Sequence, residues 1–502
     1  MSDTIDALVR RRAVEHGDKA AVIDPSARVN YAELEASTRE VAAAFVAAGV
    51  GKGSRVALIM PNSAEWMRIA IALTRVGAVL VPLSTLLQPP ELAGQLRMAA
   101  AQFVVAVEGF RGHRYLDDIR AERAGLPALR EVWRADDLPS GGVAPVDAIA
   151  AAVTPSDTFA IMFTSGSSGP PKGVIHSHGN ALGAVRSGLP ARCISADSRL
   201  YLPMPFFWVG GMAGGLLSAL LTGATLVTEE MPRPETTLRL IERERVTLFR
   251  GWPDQAAALA RANATVGADL SELRPGSMEA LLPPEQRAAP GARANLFGMT
   301  ESFGPYCGYP ADTDMPRSAW GSCGKPFDGM EVRIVDTETG EPVPTGTIGM
   351  IQLRGPHLMR GICRRSREEV FTPDGFYPTG DLGHLDDDGF MFYHGRSDDM
   401  FKVSGATVYP SEVERALRTI DGVHNAVVTQ VEGAVGAVVV SGRSVDELRA
   451  EARNRLSSFK VPTVWLATDT DDDIPRKASG KVDVRALRDM LLTPRELGPH
   501  RR

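Results

Sequence analysis

The sequence predicts an α/β protein: a large N-terminal domain of layered α/β subdomains with a small β subdomain, followed by a small α+β C-terminal domain. Three observations carry this reading. Helix and strand patterns alternate through the first third, as in layers built around a largely parallel sheet. From about residue 322 to 395 the pattern becomes short strands separated by Gly and Pro turns. After Gly395 it changes again, to a compact run of helices and strands of roughly 100 residues.

The elements follow in order. YAELEASTREVAAAFVAAGV, from Tyr31, is an amphipathic, Ala-rich helix stopped by Gly49 and Gly51. RVALIMP, from Arg55, is a short apolar strand. SAEWMRIAIALTRVGAVLVPL, from Ser63, is a second helix running into a second strand. DTFAIMF, from Asp157, has the pattern of a buried strand, and GVIHSH, from Gly173, alternates apolar and polar residues. MEVRIVD, GMIQLRG and GFMFYHGR are the strands of the β subdomain. RSDDMFKVSG is a polar connector closed by glycine, and it puts a domain boundary near Asp398, giving domains 1–397 and 398–502. PSEVERALRTI is a helix with Pro410 in its first turn, Glu412 and Glu414 near its positive end, and Val413, Ala416, Leu417 and Ile420 on one face. AVVTQV and GAVGAVVVS are strands; SVDELRAEARNRLSS and VDVRALRDMLL are helices.

Composition removes several function classes. With 502 residues, 44% hydrophobic and 23% charged, the chain can bury a large core, and its length suits three units or two large ones. A net charge of −6 supplies no basic field for nucleic acid or anionic lipid. Cys193, Cys307, Cys323 and Cys363 are far apart and form no CxxC pair, which argues against a metal site or a disulfide scaffold and fits a reducing compartment. The N-terminus has no apolar signal-peptide core, and no run of about 18 apolar residues occurs. The expectation is a cytoplasmic protein without an integral membrane segment.

TSGSSGPPKG, from Thr164 to Gly173, sits between the two extended segments DTFAIMF and GVIHSH and so does not open a helix. Its spacing is not that of a Walker A loop. Its physics still suits an anion. Glycines let backbone N–H groups approach, Thr164, Ser165, Ser167 and Ser168 add hydroxyls, and Lys172 adds charge. For a Gly/Ser loop taken alone, a flexible surface turn is the competing reading.

This loop resembles the phosphate-binding signature of the adenylate-forming superfamily, which holds acyl-CoA synthetases, peptide-synthetase adenylation domains and luciferases. LFGMTE (Leu296–Glu301), FYPTGD (Phe376–Asp381), GRSDDMFKVSG (Gly395–Gly405) and IPRKASGK (Ile474–Lys481) follow in the family's order and at similar spacing. The resemblance covers nearly the whole chain. It implies an acid–CoA ligase using ATP, Mg²⁺ and coenzyme A. A carboxylate attacks the α-phosphate of ATP to give an acyl-adenylate and pyrophosphate, and a thiol then displaces AMP. Two anions must meet, so the site must supply positive charge and oriented donors.

By the same resemblance, Thr164, Ser165, Gly166, Ser167, Ser168, Gly169 and Lys172 hold the β- and γ-phosphates. Thr300 donates to the α-phosphate and Glu301 is the Mg²⁺ ligand, a hard oxygen beside phosphates. Phe297, where the family often has Tyr, gives adenine an aromatic face, with Gly298 and Met299 beside it. Asp381 and Arg396 bind the ribose. Lys481 is the catalytic lysine, bridging carboxylate and α-phosphate, and Lys477 matches a less specific position. Asp398 is the hinge of a mobile small domain. Lys402, Ser404 and Gly405 face the CoA tunnel.

Two departures from the family pattern bear on the acid. Trp208 stands where many relatives have His, and Met278-Glu279-Ala280 stands where they carry Gly-Gly-Ala. The acyl pocket is then built from Phe207, Trp208, Val209, Gly210, Gly211, Met212, Met278, Phe297, Gly298, Met299 and Phe303. Gly210, Gly211, Gly214 and Gly215 either make room for rings or serve helix packing. The set is apolar, with Glu279 the single charge beside it, so the expected substrate is a hydrophobic acid, of medium or long chain or bulky and ring-bearing. The competing readings are a ligase that loads a carrier protein's phosphopantetheine in trans and a degenerate binder of nucleotide or acyl ligand. A homodimer is left open.

Overall fold

The computed structural model describes residues 4–141, 144–164, 171–397, 401–403, 406–456, 458–477 and 480–493. The chain forms two compact units: Met1–Val332 with Leu353–Tyr377 and Gly389–Met391, and Arg333–Gln352 with Pro378–Asp388 and Phe392–Arg502.

The first unit is organised on a seven-stranded sheet. In spatial order its strands are Gly361–Ile362, Lys172–Ser177, Thr158–Thr164, Val79–Pro82, Arg55–Ile59, Phe103–Ala106 and Glu131–Arg134. The last five pair in parallel; Lys172–Ser177 is antiparallel to both its neighbours. The apolar run RVALI is explained by burial on both faces. Val56 and Leu58 pack with Phe45, Trp66 and Ile69, whereas Ala57 and Ile59 pack with Leu92, Leu96 and Tyr115. The expected helices flank it: Tyr31–Ala47 opens on an Asn30–Glu33 capping box, and Ala64–Arg75 on the Ser63 hydroxyl.

A second sheet runs Leu248–Phe249, Arg199–Tyr201, Thr225–Val227, Ala20–Ile23, Arg28–Asn30. A third, small sheet pairs Phe297–Met299 with Gly304–Gly308 and that strand with Lys325–Pro326.

The strands expected between 322 and 395 form a four-stranded sheet, in the order Glu331–Val335, Gly349–Arg354, Tyr377–Leu385, Met391–Arg396, most of whose residues belong to the second unit. That unit also holds the sheet Val423–Val431, Ala434–Ser441, Val464–Thr468 and the helices Pro410–Arg418, Val445–Arg453 and Val484–Leu492. Val413 and Leu417, on the face read from the sequence, pack against Ala426, Val428 and Val439. Among the described residues no helix is long and apolar enough to cross a membrane.

Candidate functional site

Thr158–Thr164 and Lys172–Ser177 form an antiparallel hairpin in which Thr164 and Lys172 are the last cross-strand partners. Directly opposed residues share a face, so the hydroxyl and the ammonium flank the mouth of the loop on one side. The loop joins two extended segments, as its flanks predict. Ser165, Gly166, Ser167, Ser168 and Gly169 lie outside the described residues.

LFGMTE folds as the strand Phe297–Met299 followed by one 3₁₀ turn, Thr300–Ser302. Phe303 then takes a left-handed conformation, φ +52°. Gly298 allows the close approach this turn needs: a Cβ there would stand 2.1 Å from the Gly304 carbonyl oxygen and 2.3 Å from Pro305 Cα. Glu301 is buried, its Oε1 accepts from the Tyr377 hydroxyl at 3.0 Å, and its carbonyl accepts from Met359 N–H at 2.8 Å.

Thr300 is fixed through its backbone. His176 Nε2 lies 2.9 Å from the Thr300 carbonyl oxygen, and Asn180 Nδ2 lies 2.8 Å from His176 Nδ1. The Asn180 Oδ1 accepts from Ser177 N–H, so its amide nitrogen faces the ring. An amide nitrogen only donates, which leaves the His176 proton on Nε2, aimed at Thr300. Burial pushes the His176 pKa down to about 3, so the ring stays neutral throughout the working range.

His176, Asn180 and Tyr377 carry no role in the sequence reading. The alternation of GVIHSH, which puts His176 on the face of buried Val174, was the available signal for the first. Tyr377→Phe removes one donor from a buried carboxylate. We expect kcat/KM for adenylate formation to fall by roughly tenfold, measured by pyrophosphate release, with little change in the unfolding midpoint.

The residues expected around the acyl group divide into wall and packing. Phe207 is buried edge-on to half-buried Trp208 at 5.5 Å, and Trp208 meets Trp252 edge-on at 6.3 Å. Val209–Gly211 continues into a π-helical segment, Met212–Leu217, an uncommon form concentrated at functional sites. Gly211 is required by packing, since a Cβ there would lie 2.1 Å from the Pro205 carbonyl oxygen. Gly214 and Gly215 face the Leu202 side chain, and Gly210 faces Met204 sulfur. Phe303 is fully buried against Phe159 and His176. Half-buried Met278 packs on the cluster of Tyr201 and Phe249. Glu279 opens a 3₁₀ turn, accepts from Ala288 N–H at 2.8 Å and stands 3.8 Å from Arg293. Its carboxylate is thus committed to this chain's own groups.

In the second unit, Arg396 Nη1 donates to the Thr379 carbonyl at 2.9 Å and to Asp381 Oδ1 at 3.1 Å. Asp381 is buried, and Gly380, at φ +74°, lets the guanidinium lie against its Cα. The pair read from two separate motifs is therefore one constellation. Lys481 lies in a tight loop: Lys477 N–H donates to the Lys481 carbonyl at 2.7 Å, Gly480 N–H donates to the Lys477 carbonyl at 2.8 Å, and Gly480 has φ +78°. The Lys481 side chain is exposed, and its Nζ has no hydrogen bond or ion pair among the described residues. Lys477 is exposed as well. Lys402 is in the strand Phe401–Val403, opposite Thr407. Asp398, Ser404 and Gly405 lie outside the described residues.

Known proteins share this family and fold. The family profile of the AMP-binding enzyme matches residues 9–363. A CoA ligase of a dioxo-octahydroindenyl propanoyl group from Mycobacterium tuberculosis is 33% identical, over 97% of this chain and 99% of the relative. A feruloyl-CoA synthase from Amycolatopsis sp. is 32% identical over 94% of each chain. The crystal structure of the anthranilate CoA ligase AuaEII with anthranoyl-AMP superposes with a TM-score of 0.82 at 24% identity, covering 98% of this chain and 97% of that one.

Proposed function

Because the chain belongs to the AMP-binding enzyme family and is an ATP-dependent acid–CoA ligase, we propose that its acid is hydrophobic and ring-bearing, with medium- or long-chain acids as the wider class. The observation that carries this is the edge-on series of Phe207, Trp208 and Trp252, which in this reading would line the acyl group. The engagement of Glu279 by Ala288 and Arg293 supports it, because the Glu279 carboxylate is already held by this chain's own groups and would pair less readily with a substrate ammonium.

In this reading a carboxylate oxygen attacks the α-phosphorus of ATP, the bond to the bridging oxygen breaks, and pyrophosphate leaves. The CoA sulfur then attacks the acyl carbon and AMP leaves. Thr164 and Lys172 would meet the outer phosphates at the hairpin mouth. The Asp381–Arg396 pair would hold the ribose diol, the carboxylate accepting and the guanidinium donating. Lys481 would carry its charge to the reacting carboxylate and the α-phosphate. His176 and Asn180 would hold the Thr300 backbone so that its side chain meets the α-phosphate in one pose.

Mg²⁺ fits Glu301. Its carboxylate is buried and oriented by Tyr377, and one carboxylate plus substrate phosphates is the ligand set this ion prefers. Bound there, the ion would neutralise charge developing on the phosphates. Four unbridged cysteines suit the cytoplasmic setting we propose.

The test is incubation with Mg²⁺, ATP, CoA and a panel of fatty, aryl and polycyclic acids, read for thioesters by mass spectrometry. We expect thioesters from ring-bearing acids at the highest kcat/KM. Acyl-adenylate without thioester would transfer the acceptor role to a carrier protein. Faster turnover of small polar acids would overturn the proposed acid class.

A further inference from the structure

The sequence reading passes over Asn62, which is buried in the turn between the strand Arg55–Ile59 and the helix Ala64–Arg75. Its side-chain amide makes three hydrogen bonds to segments far along the chain. Oδ1 accepts from Phe206 N–H at 2.8 Å, and Nδ2 donates to the Met204 carbonyl at 2.9 Å and to the Thr228 hydroxyl at 3.2 Å. A backbone N–H only donates and a carbonyl only accepts, so the orientation of the amide is fixed and both its ends are engaged. The base of this grip is stiff. The Ser63 hydroxyl accepts from Trp66 N–H at 3.1 Å, and Ala64 N–H donates to Asp24 Oδ2 at 2.8 Å. Fully buried Trp66, on the same turn, meets Phe206 edge-on at 5.3 Å.

What Asn62 holds leads directly into residues expected to line the acyl group. Phe207 and Trp208 follow Phe206 in the chain. Trp208 N–H donates to the Pro205 carbonyl at 3.0 Å, and Met212 N–H donates to the Trp208 carbonyl at 2.9 Å. Pro205 lies between the two residues that the amide grips, so any shift of Met204–Phe206 is passed to Trp208 and to the helical turn after it. Removing the amide would leave the N–H of fully buried Phe206 without its acceptor, a cost the segment lowers by moving.

We propose that Asn62 is a positioning residue for acid selectivity: without touching the acid, it sets where Phe207 and Trp208 stand and so which acyl groups fit. The proposal rests on the ligase reading and deepens it. An apolar pocket discriminates by shape, so a displaced side chain changes the ranking of acids.

Asn62→Asp tests it. The ionised carboxylate keeps an acceptor for Phe206 and loses the donor to Met204, whereas the neutral carboxyl regains a donor. Burial raises a carboxyl pKa, so recovery should begin between about pH 8 and pH 6. Cyclohexylpropanoate, octanoate and ATP are each followed by pyrophosphate release, and each variant is divided by wild type at the same pH. At the higher pH we expect KM for cyclohexylpropanoate to rise about tenfold, KM for ATP to stay within about twofold, and the preference for the ring over the chain to shrink. At the lower pH the difference should narrow. In protein labelled with 5-fluorotryptophan, the Trp208 resonance, identified by its loss in Trp208→Phe, should shift or broaden in Asn62→Asp and return as the pH falls. Should the carboxylate prevent folding, Asn62→Ser, uncharged and too short to make all three bonds, repeats the measurements at one pH. An unchanged acid ranking with an unmoved Trp208 resonance overturns the proposal. So does an equal rise in KM for acid and ATP, which marks a general packing role. If no acid releases pyrophosphate, the ligase reading fails, and the Trp208 resonance decides the positioning role by itself: displacement upholds it and constancy overturns it.

Discussion

Replacing Lys481 by Ala should lower acyl-adenylate formation by about 10²–10³-fold, the loss seen when one preorganised charge or donor is taken from a developing negative centre, and leave ATP affinity within a few-fold. The side chain is exposed, and among the described residues it has no partner that would hold it away from substrate. Its backbone, in contrast, is fixed by the Lys477–Lys481 and Gly480–Lys477 hydrogen bonds. A compact ammonium on a flexible stem, mounted on a stiff turn, suits a charge needed at one stage of a reaction. Isotope exchange between pyrophosphate and ATP reports adenylation, and calorimetry reports ATP binding. Lys481→Arg keeps the charge and loses the compact head, so it should recover only part of the exchange rate. Exchange near the wild-type rate in Lys481→Ala would remove Lys481 from the catalytic step.

Gly298→Ala should damage both stability and adenylation. The added methyl would meet the Gly304 carbonyl oxygen at 2.1 Å and Pro305 Cα at 2.3 Å, and both are backbone. No rotamer change relieves that contact, so Phe297–Met299 must move off Gly304–Gly308. Overpacking of this kind costs about 1–3 kcal/mol or more. The displaced strand carries Thr300 and Glu301, so we expect adenylation to fall more than tenfold even at temperatures where the variant stays folded. Urea unfolding and pyrophosphate exchange, measured on one preparation, check the two halves. Wild-type behaviour in both would show that the strand pair tolerates the shift.

Much of the fold was legible because its signals are local. The βα alternation of the first third, the apolar strand at Arg55, the helix at Pro410 and the β strands after Met330 all rest on periodicity or turn chemistry within a dozen residues. The motif residues Asp381 and Arg396 were legible only through the resemblance of their motifs to a known family, and the structure joins the two side chains. What sequence left unread was set by partners far along the chain. His176 gains its meaning from Thr300, 124 residues on, and Tyr377 from Glu301, 76 residues back. Arg250 meets the carbonyl of Arg192 across 58 residues. Glu279 read only as a lone charge near the acyl set, because neither Ala288 nor Arg293 announces that it will turn back to it. Gly211, Gly214 and Gly215 read equally as space for rings or as packing, and the position of the Pro205 carbonyl decides for packing at Gly211.

The cross-strand pairing of Thr164 with Lys172 also sets rules for protein engineering. Strand side chains alternate between faces, so one residue inserted within either strand would turn its loop-side half over and send the Thr164 hydroxyl, or the Lys172 ammonium, to the opposite side of the sheet. Length changes confined to the segment between the two partners leave their pairing intact and cost little closure entropy. Positions 164 and 172 are therefore the natural splice points for grafting a longer or shorter connecting segment into this chain.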